Sequence, residues 1–132
     1  MCWQALERNE WMLVPGLAIV AAGVPLPSTE PGATGPYQLA DRDYLFSVLD
    51  AAGYDTIDID GCEAPLTIGG GGTIDDAVDY LRNGTGRSLL AQVNEDTAAR
   101  AVDAARAALA PFETPEGVVL PAATWIVTAR RE

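Results

Sequence analysis

Four side chains in the first third of the chain, Trp3, Asn9, Trp11 and Tyr37, are of the types that hold a small apolar molecule. Indole and phenol rings offer flat apolar surface, and an amide orients a carbonyl or hydroxyl. The same types serve equally as packing residues, with Asn9 as a turn former. A second grouping, Gly69-Gly70-Gly71-Gly72-Thr73 ahead of a helix, has the outline of an anion cradle at a helix N-terminus. A phosphate loop needs Lys after its final glycine, whereas Ile74, Asp75 and Asp76 follow here and would repel a phosphate. The run reads as a flexible hinge leading into a cap helix. Asp58, Asp60 and Glu63 form a third grouping. Alternation along an exposed strand face accounts for the first two, and no companions are present to complete a metal site.

The chain contains no His and no Lys. The commonest general base and metal ligand are therefore missing, and Schiff-base chemistry is excluded. Cys2 and Cys62 form no CxxC pair, so neither a zinc site nor a dithiol redox site is expected; both read as buried free thiols in a reducing cytoplasm. With 132 residues, 48% of them hydrophobic and 20% charged, the chain is long enough for one domain, 1–132. Its net charge of -11 repels a phosphate backbone, so nucleic acid is not an expected partner. The apolar run Met12–Leu26 is shorter than a membrane span and is interrupted by Pro15, Gly16, Gly23 and Pro25. It also follows Glu7, Arg8 and Glu10, unlike a secretory signal. It reads as a buried or lid segment of a cytoplasmic protein.

These residues are positioned by a short set of elements. Met1–Gln4 is an apolar strand stub. Trp11–Val24 has the residues of a short helix that Pro15 and Gly16 break near its start. Pro25–Pro36, with four prolines and two glycines, is an irregular connection. Asp41 caps a helix carrying Leu45, Val48, Leu49 and Ala52 on one face, ended by Gly53. Tyr54–Ile59 alternates as a strand with one wet face. Thr73 caps a second helix with Ile74, Ala77, Val78 and Leu81 inward, stopped at Asn83-Gly84. Asn94 starts a third, whose stripe is Ala98, Val102, Ala105 and Leu109. The β-branched and aromatic runs Val118–Leu120 and Thr124–Thr128 flank Pro121, which suits an edge or bulge.

Read in order, Cys2-Trp3-Gln4, Asn9-Glu10-Trp11-Met12, Gly35-Pro36-Tyr37, Ala51-Ala52-Gly53-Tyr54 and the closing run Leu120–Arg130 resemble the C-terminal half of a class I S-adenosylmethionine-dependent methyltransferase. The type is the small-molecule one related to the ubiquinone/menaquinone C-methyltransferases, and the resemblance covers nearly the whole chain. It implies the C-terminal part of a Rossmann-like α/β fold, or α+β as an isolated fragment. That part comprises an antiparallel strand pair at the end of the sheet, about three packing helices, and a strand stub with a Pro-rich lid over 1–40. In this family the final strand lies antiparallel beside the strand corresponding to Thr56–Asp60, with Trp125 and Val127 on one side and Ile126 on the other. Met1–Gln4 corresponds to the end of the fifth, central strand, so that Trp3, Asn9 and Trp11 sit at the mouth of the substrate pocket. Tyr37 takes the place of a common Phe after Gly-Pro.

The family's cofactor loop follows its first strand, in a half of the fold this chain does not contain. The resemblance therefore implies S-adenosylmethionine for the full-length family and no cofactor site in this chain alone. Two readings follow. In the first, the chain is a truncated or split methyltransferase-like protein, the substrate-lid half, inactive alone and completed by an N-terminal half. In the second, it is a stand-alone dimeric protein that binds a hydrophobic small molecule. An open sheet edge near Met1–Gln4 favours self-association in either case. Trp3 is expected to matter for stability and Trp11, after a polar turn, for the pocket.

Overall fold

The computed structural model describes residues 1–26 and 34–131. The chain is mixed α/β, with strands β1 (Cys2–Trp3), β2 (Thr56–Thr67), β3 (Glu113–Thr114) and β4 (Gly117–Arg130), and helices α1 (Glu10–Ala21), α2 (Arg42–Ala51), α3 (Ile74–Asn83), α4 (Arg87–Leu90) and α5 (Glu95–Leu109). The strand order is β1-β4-β2, with β3 pairing the start of β4, and every pairing is antiparallel. Since β1 and β2 both oppose β4, they run parallel to one another with an antiparallel strand between them. The Pro-rich stretch read as a lid falls, over 27–33, outside the described residues.

Two elements are longer than their local sequence predicts, for one shared reason. β2 runs to Thr67 rather than stopping near Ile59, and β4 is a single strand through Pro121 rather than two runs. The two pair in unbroken register from Thr56↔Arg130 to Thr67↔Val119, which puts Pro65 opposite Pro121. Gln4 N–H donates to the Ala123 carbonyl at 2.9 Å, so the alternation of an antiparallel ladder turns odd-numbered β4 residues toward β1 and even-numbered ones toward β2. Pro65–Pro121 is thus a non-hydrogen-bonded pair, and neither ring removes a donor from the ladder.

The sheet changes its buried face along its length. Val118, Leu120 and Ala122 point to the face covered by α1, α3 and α5, where they join Trp11, Ile68, Ala77, Leu81 and Leu109 in the main core. From Trp125 onward the opposite face is covered. There Ile59, in register with Val127, and Leu45 of α2 are buried, while Ile126 is exposed. Helices therefore stand on both sides of the sheet. A second cluster, Ile19 and Val24 against Ala101 and Ala105, joins α1 to α5, where alanines allow close approach.

The expected caps form. Asp41 accepts from Tyr44 N–H and Asn94 from Thr97 N–H, and Thr73 makes a capping box with Asp76. Gly53, at φ 81, ends the first of these helices. The α2 face is less buried than its spacing predicts: Leu45 is buried, while Val48 is 40% exposed. α1 contradicts the expectation of a helix broken by Pro15 and Gly16, because it continues through both. Trp11, Pro15 and Ile19, spaced four apart, are all buried, and their packing outweighs the roughly 3 kcal/mol that an interior proline costs.

Candidate functional site

Asn9 directly follows the 3₁₀ turn Leu6–Arg8 that leads out of β1, and its side chain does not cap α1. Instead its amide is wholly buried and tied to the sheet. Nδ2 donates to the carbonyls of Gln4, Ala5 and Ala123, each at 3.1 Å, while Oδ1 accepts from Ala123 N–H at 3.0 Å and from the Trp11 indole N–H at 3.3 Å. The amide does for β4 what one more residue of β1 would do. With all of its groups engaged, Asn9 has no free valence for a ligand.

Trp11, expected at a pocket mouth, is 5% exposed and belongs to the main core. Trp3 packs on that core from the edge strand, its ring 5.2 Å from that of Trp11 and tilted by 47°, and it keeps part of its surface. The spacing that places two indoles around a polar turn thus builds a core corner, with its outer half at the sheet edge.

Tyr37 lies in the turn Gly35–Ala40, on the opposite face from Trp11. This turn is fastened to the sheet by the Trp125 indole N–H, which donates to the Ala40 carbonyl at 2.8 Å, and by the Cys2 thiol near the Leu39 carbonyl at 3.7 Å. Burial pushes the Tyr37 phenol up to about 12, and its hydroxyl has no hydrogen-bond partner among the described residues. Gln4, 2% exposed, shares that condition. Its Nε2 donates to the Thr124 carbonyl at 2.9 Å, while Oε1 has no partner among the described residues. Sequence reasoning did not single out Gln4; the available signal was a polar residue at the end of an apolar strand stub.

Beside Gln4 along the same face lies an open groove of about 560 Å³. Its floor is apolar, formed by Pro65, Val119 and Pro121, and Glu7, Arg8 and Glu63 stand at its rim. Arg8 and Glu63 form an ion pair in which both side chains stay more than half exposed, so it closes the rim only loosely. None of Trp3, Asn9, Trp11 and Tyr37 lines the groove. It lies toward the carboxyl end of β2.

The remaining groupings do not converge. Asp58 and Asp60 face away from Glu63 across the sheet, and among the described residues no group of three His, Cys, Asp or Glu side chains is placed to hold a metal. Cys2 is partly buried, which raises its thiol, whereas Cys62, expected to be buried, is exposed on the edge strand β2. The glycine run is not a loose hinge. The amides that follow it at the start of α3 are occupied, with Thr73 N–H on Asp76 Oδ2 at 2.7 Å and Ile74 N–H on Glu113 Oε1 at 3.3 Å. It also packs tightly against the β3–β4 turn: at Gly117, with φ 130, a Cβ would meet Thr67 Cγ2 at 2.9 Å and Gly71 Cα at 3.0 Å. Among the described residues no helix is long and apolar enough to cross a membrane. Compared with protein-family models and with curated proteins, the chain matches none.

Proposed function

We propose that this chain is the acceptor-side portion of a small-molecule methyltransferase-like fold, the end of a Rossmann-like sheet, which holds a hydrophobic acceptor and does not transfer a methyl group alone. The observation that carries this reading is the order β1-β4-β2, an antiparallel strand between two mutually parallel ones with helices on both faces. Within it, the antiparallel pairing of the closing strand with the strand that begins at Thr56 is what the resemblance implies. The acceptor's apolar part lies on Pro65, Val119 and Pro121, and its polar group meets the rim charges of Arg8 and Glu63. Gln4 Oε1 and the Tyr37 hydroxyl, on the same face, are an acceptor and a donor without a partner among the described residues.

The residues present do not fit S-adenosylmethionine. At the start of the helix that follows the one glycine run, the Thr73 and Ile74 amides are taken by Asp76 and Glu113, and those carboxylates would repel the cofactor's own. Isothermal titration of S-adenosylmethionine into the chain is the test, and no saturable heat is expected. Saturable binding at micromolar affinity overturns the reading. A parallel titration with an apolar fluorescent probe addresses the acceptor, with Val119→Glu expected to abolish binding.

The second reading, a stand-alone dimeric protein that binds a hydrophobic small molecule, draws support from the open edge of β1 and the apolar outer face of α1 beside it.

A further inference from the structure

We propose that the groove selects a protonated amine on an apolar body, with the body lying on Pro65, Val119 and Pro121 and the ammonium held at the rim by Glu7 and Glu63. The inference names the class of small molecule bound and rests on the reading of this groove as the acceptor's seat, not on methyl transfer.

Floor and charge are ordered along one face of the sheet. Pro65 and Pro121 oppose each other as a non-hydrogen-bonded pair, in which Cα atoms lie about 4.5 Å apart, so their rings stand side by side. Side chains alternate with period two, so Val119 on β4 and Glu63 on β2 share that face with the prolines. The strands run in opposite directions. Val119 therefore extends the proline pair on one side, and Glu63 stands on the other, about 7 Å from Pro65 along its strand. Arg8, in the turn that leaves β1, reaches Glu63 from outside the sheet. A molecule that matches this floor is apolar along its length and polar at one end. The volume of about 560 Å³ is that of a pocket for one such small molecule.

The sign of the polar end follows from the rim. It holds two carboxylates and one guanidinium, and the guanidinium is already paired with Glu63 Oε1. Glu7 forms no ion pair among the described residues. An ionised carboxylate accepts on both oxygens, so Glu63 keeps Oε2 for a second donor. An ammonium has three N–H donors and no acceptor, and it meets these carboxylates without displacing Arg8. An anionic ligand must instead take Arg8 from Glu63 and stand beside Glu7. The chain's net charge of -11 acts in the same direction, drawing cations toward the groove and repelling anions. All three rim side chains are exposed, so the preference is one of screened charges and moderate in size.

Equilibrium dialysis of the chain at low salt against three naphthalene probes tests this: naphthylmethylamine, naphthylmethanol and naphthylacetate. The amine is expected to bind about fivefold tighter than the alcohol, and the acid more weakly than either. Molar salt should shrink the gap between amine and alcohol. Glu7→Gln and Glu63→Gln are each expected to narrow that gap about twofold or more. Asp58→Asn removes the same charge from the opposite face of the sheet and is expected to leave the gap unchanged. Should Glu63→Gln, which also frees Arg8, lower the melting temperature, Glu7→Gln carries the comparison. An amine bound no tighter than the alcohol, an acid bound tightest, or a gap moved as far by Asp58→Asn as by the Glu variants overturns the inference. In those outcomes the alcohol still binds, and the groove remains the acceptor's seat; a failure of all three probes to bind overturns both.

Discussion

The side-chain amide of Asn9 pairs with the backbone of Ala123 as a strand would, donating to its carbonyl at 3.1 Å and accepting from its N–H at 3.0 Å. This contact spans 114 residues of sequence and is buried. It fastens the exit of β1 to the middle of β4 and orients the Trp11 indole on the same oxygen. Asn9→Ala strips partners from Ala123 N–H and Trp11 Nε1–H inside the core. At ~1–3 kcal/mol for each buried group left unpaired, a loss of roughly 2–4 kcal/mol is expected. Asn9→Asp is expected to be worse, because a buried carboxylate faces three carbonyls it cannot donate to. Urea denaturation of the three proteins checks the order; an Asn9→Asp protein as stable as the wild type contradicts this account.

The two indoles should separate in the same measurement. Trp11→Ala empties a buried core position and is expected to cost ~3–5 kcal/mol. Trp3→Ala, at the sheet edge with part of its ring already in water, should cost less than half as much. Equal losses would show that the edge position is as enclosed as the core.

Asp76 provides a pH-dependent contribution with a defined sign. Hydrogen bonds from the Thr73 backbone, and then from its hydroxyl, hold this carboxyl below its ordinary 3.8. A lowered folded-state value means that the contribution is present above pH 3.8 and disappears as the pH falls through the folded value. Thermal melts of wild type and Asp76→Asn are therefore expected to differ at neutral pH and to converge in acid. A gap that widens in acid reverses the sign and removes the capping box as its cause.

Tyr37 carries the opposite sign at the other end of the scale. Burial raises its phenol from the ordinary 10.0 to about 12, so its neutral form favours the folded state. That contribution is complete below pH 10.0 and is lost as the pH rises toward 12. Absorbance titration of tyrosinate should show a component ionising near pH 12, and that late component should vanish in Tyr37→Phe. Because the hydroxyl is buried without a partner among the described residues, that variant should melt no lower than the wild type. A substantial loss would reveal a partner for the hydroxyl.

What the sequence determined by itself is local. Asp41, Thr73 and Asn94 cap the helices they were expected to cap, because a cap is a contact between residues three apart and needs no tertiary partner. Gly53 likewise ends its helix through its own backbone freedom. Strand extent was decided by the tertiary structure. Gly61, Pro65 and Pro121 argue locally against continuous strands, and β2 and β4 run through them because each is the other's partner for twelve residue pairs in register. The continuity of α1 through Pro15 was settled in the same way, by burial of a face that local propensity does not weigh. The candidate residues divide on this line too. Residue type marked Trp3, Asn9, Trp11 and Tyr37 as able to bind, but side-chain chemistry is silent about which neighbours use it up. Folding committed the Asn9 amide to Ala123 and Trp11 to the core, left Tyr37 and Gln4 with buried polar atoms unspent among the described residues, and formed the groove from Arg8, Glu63, Pro65 and Val119, which chain order keeps far apart.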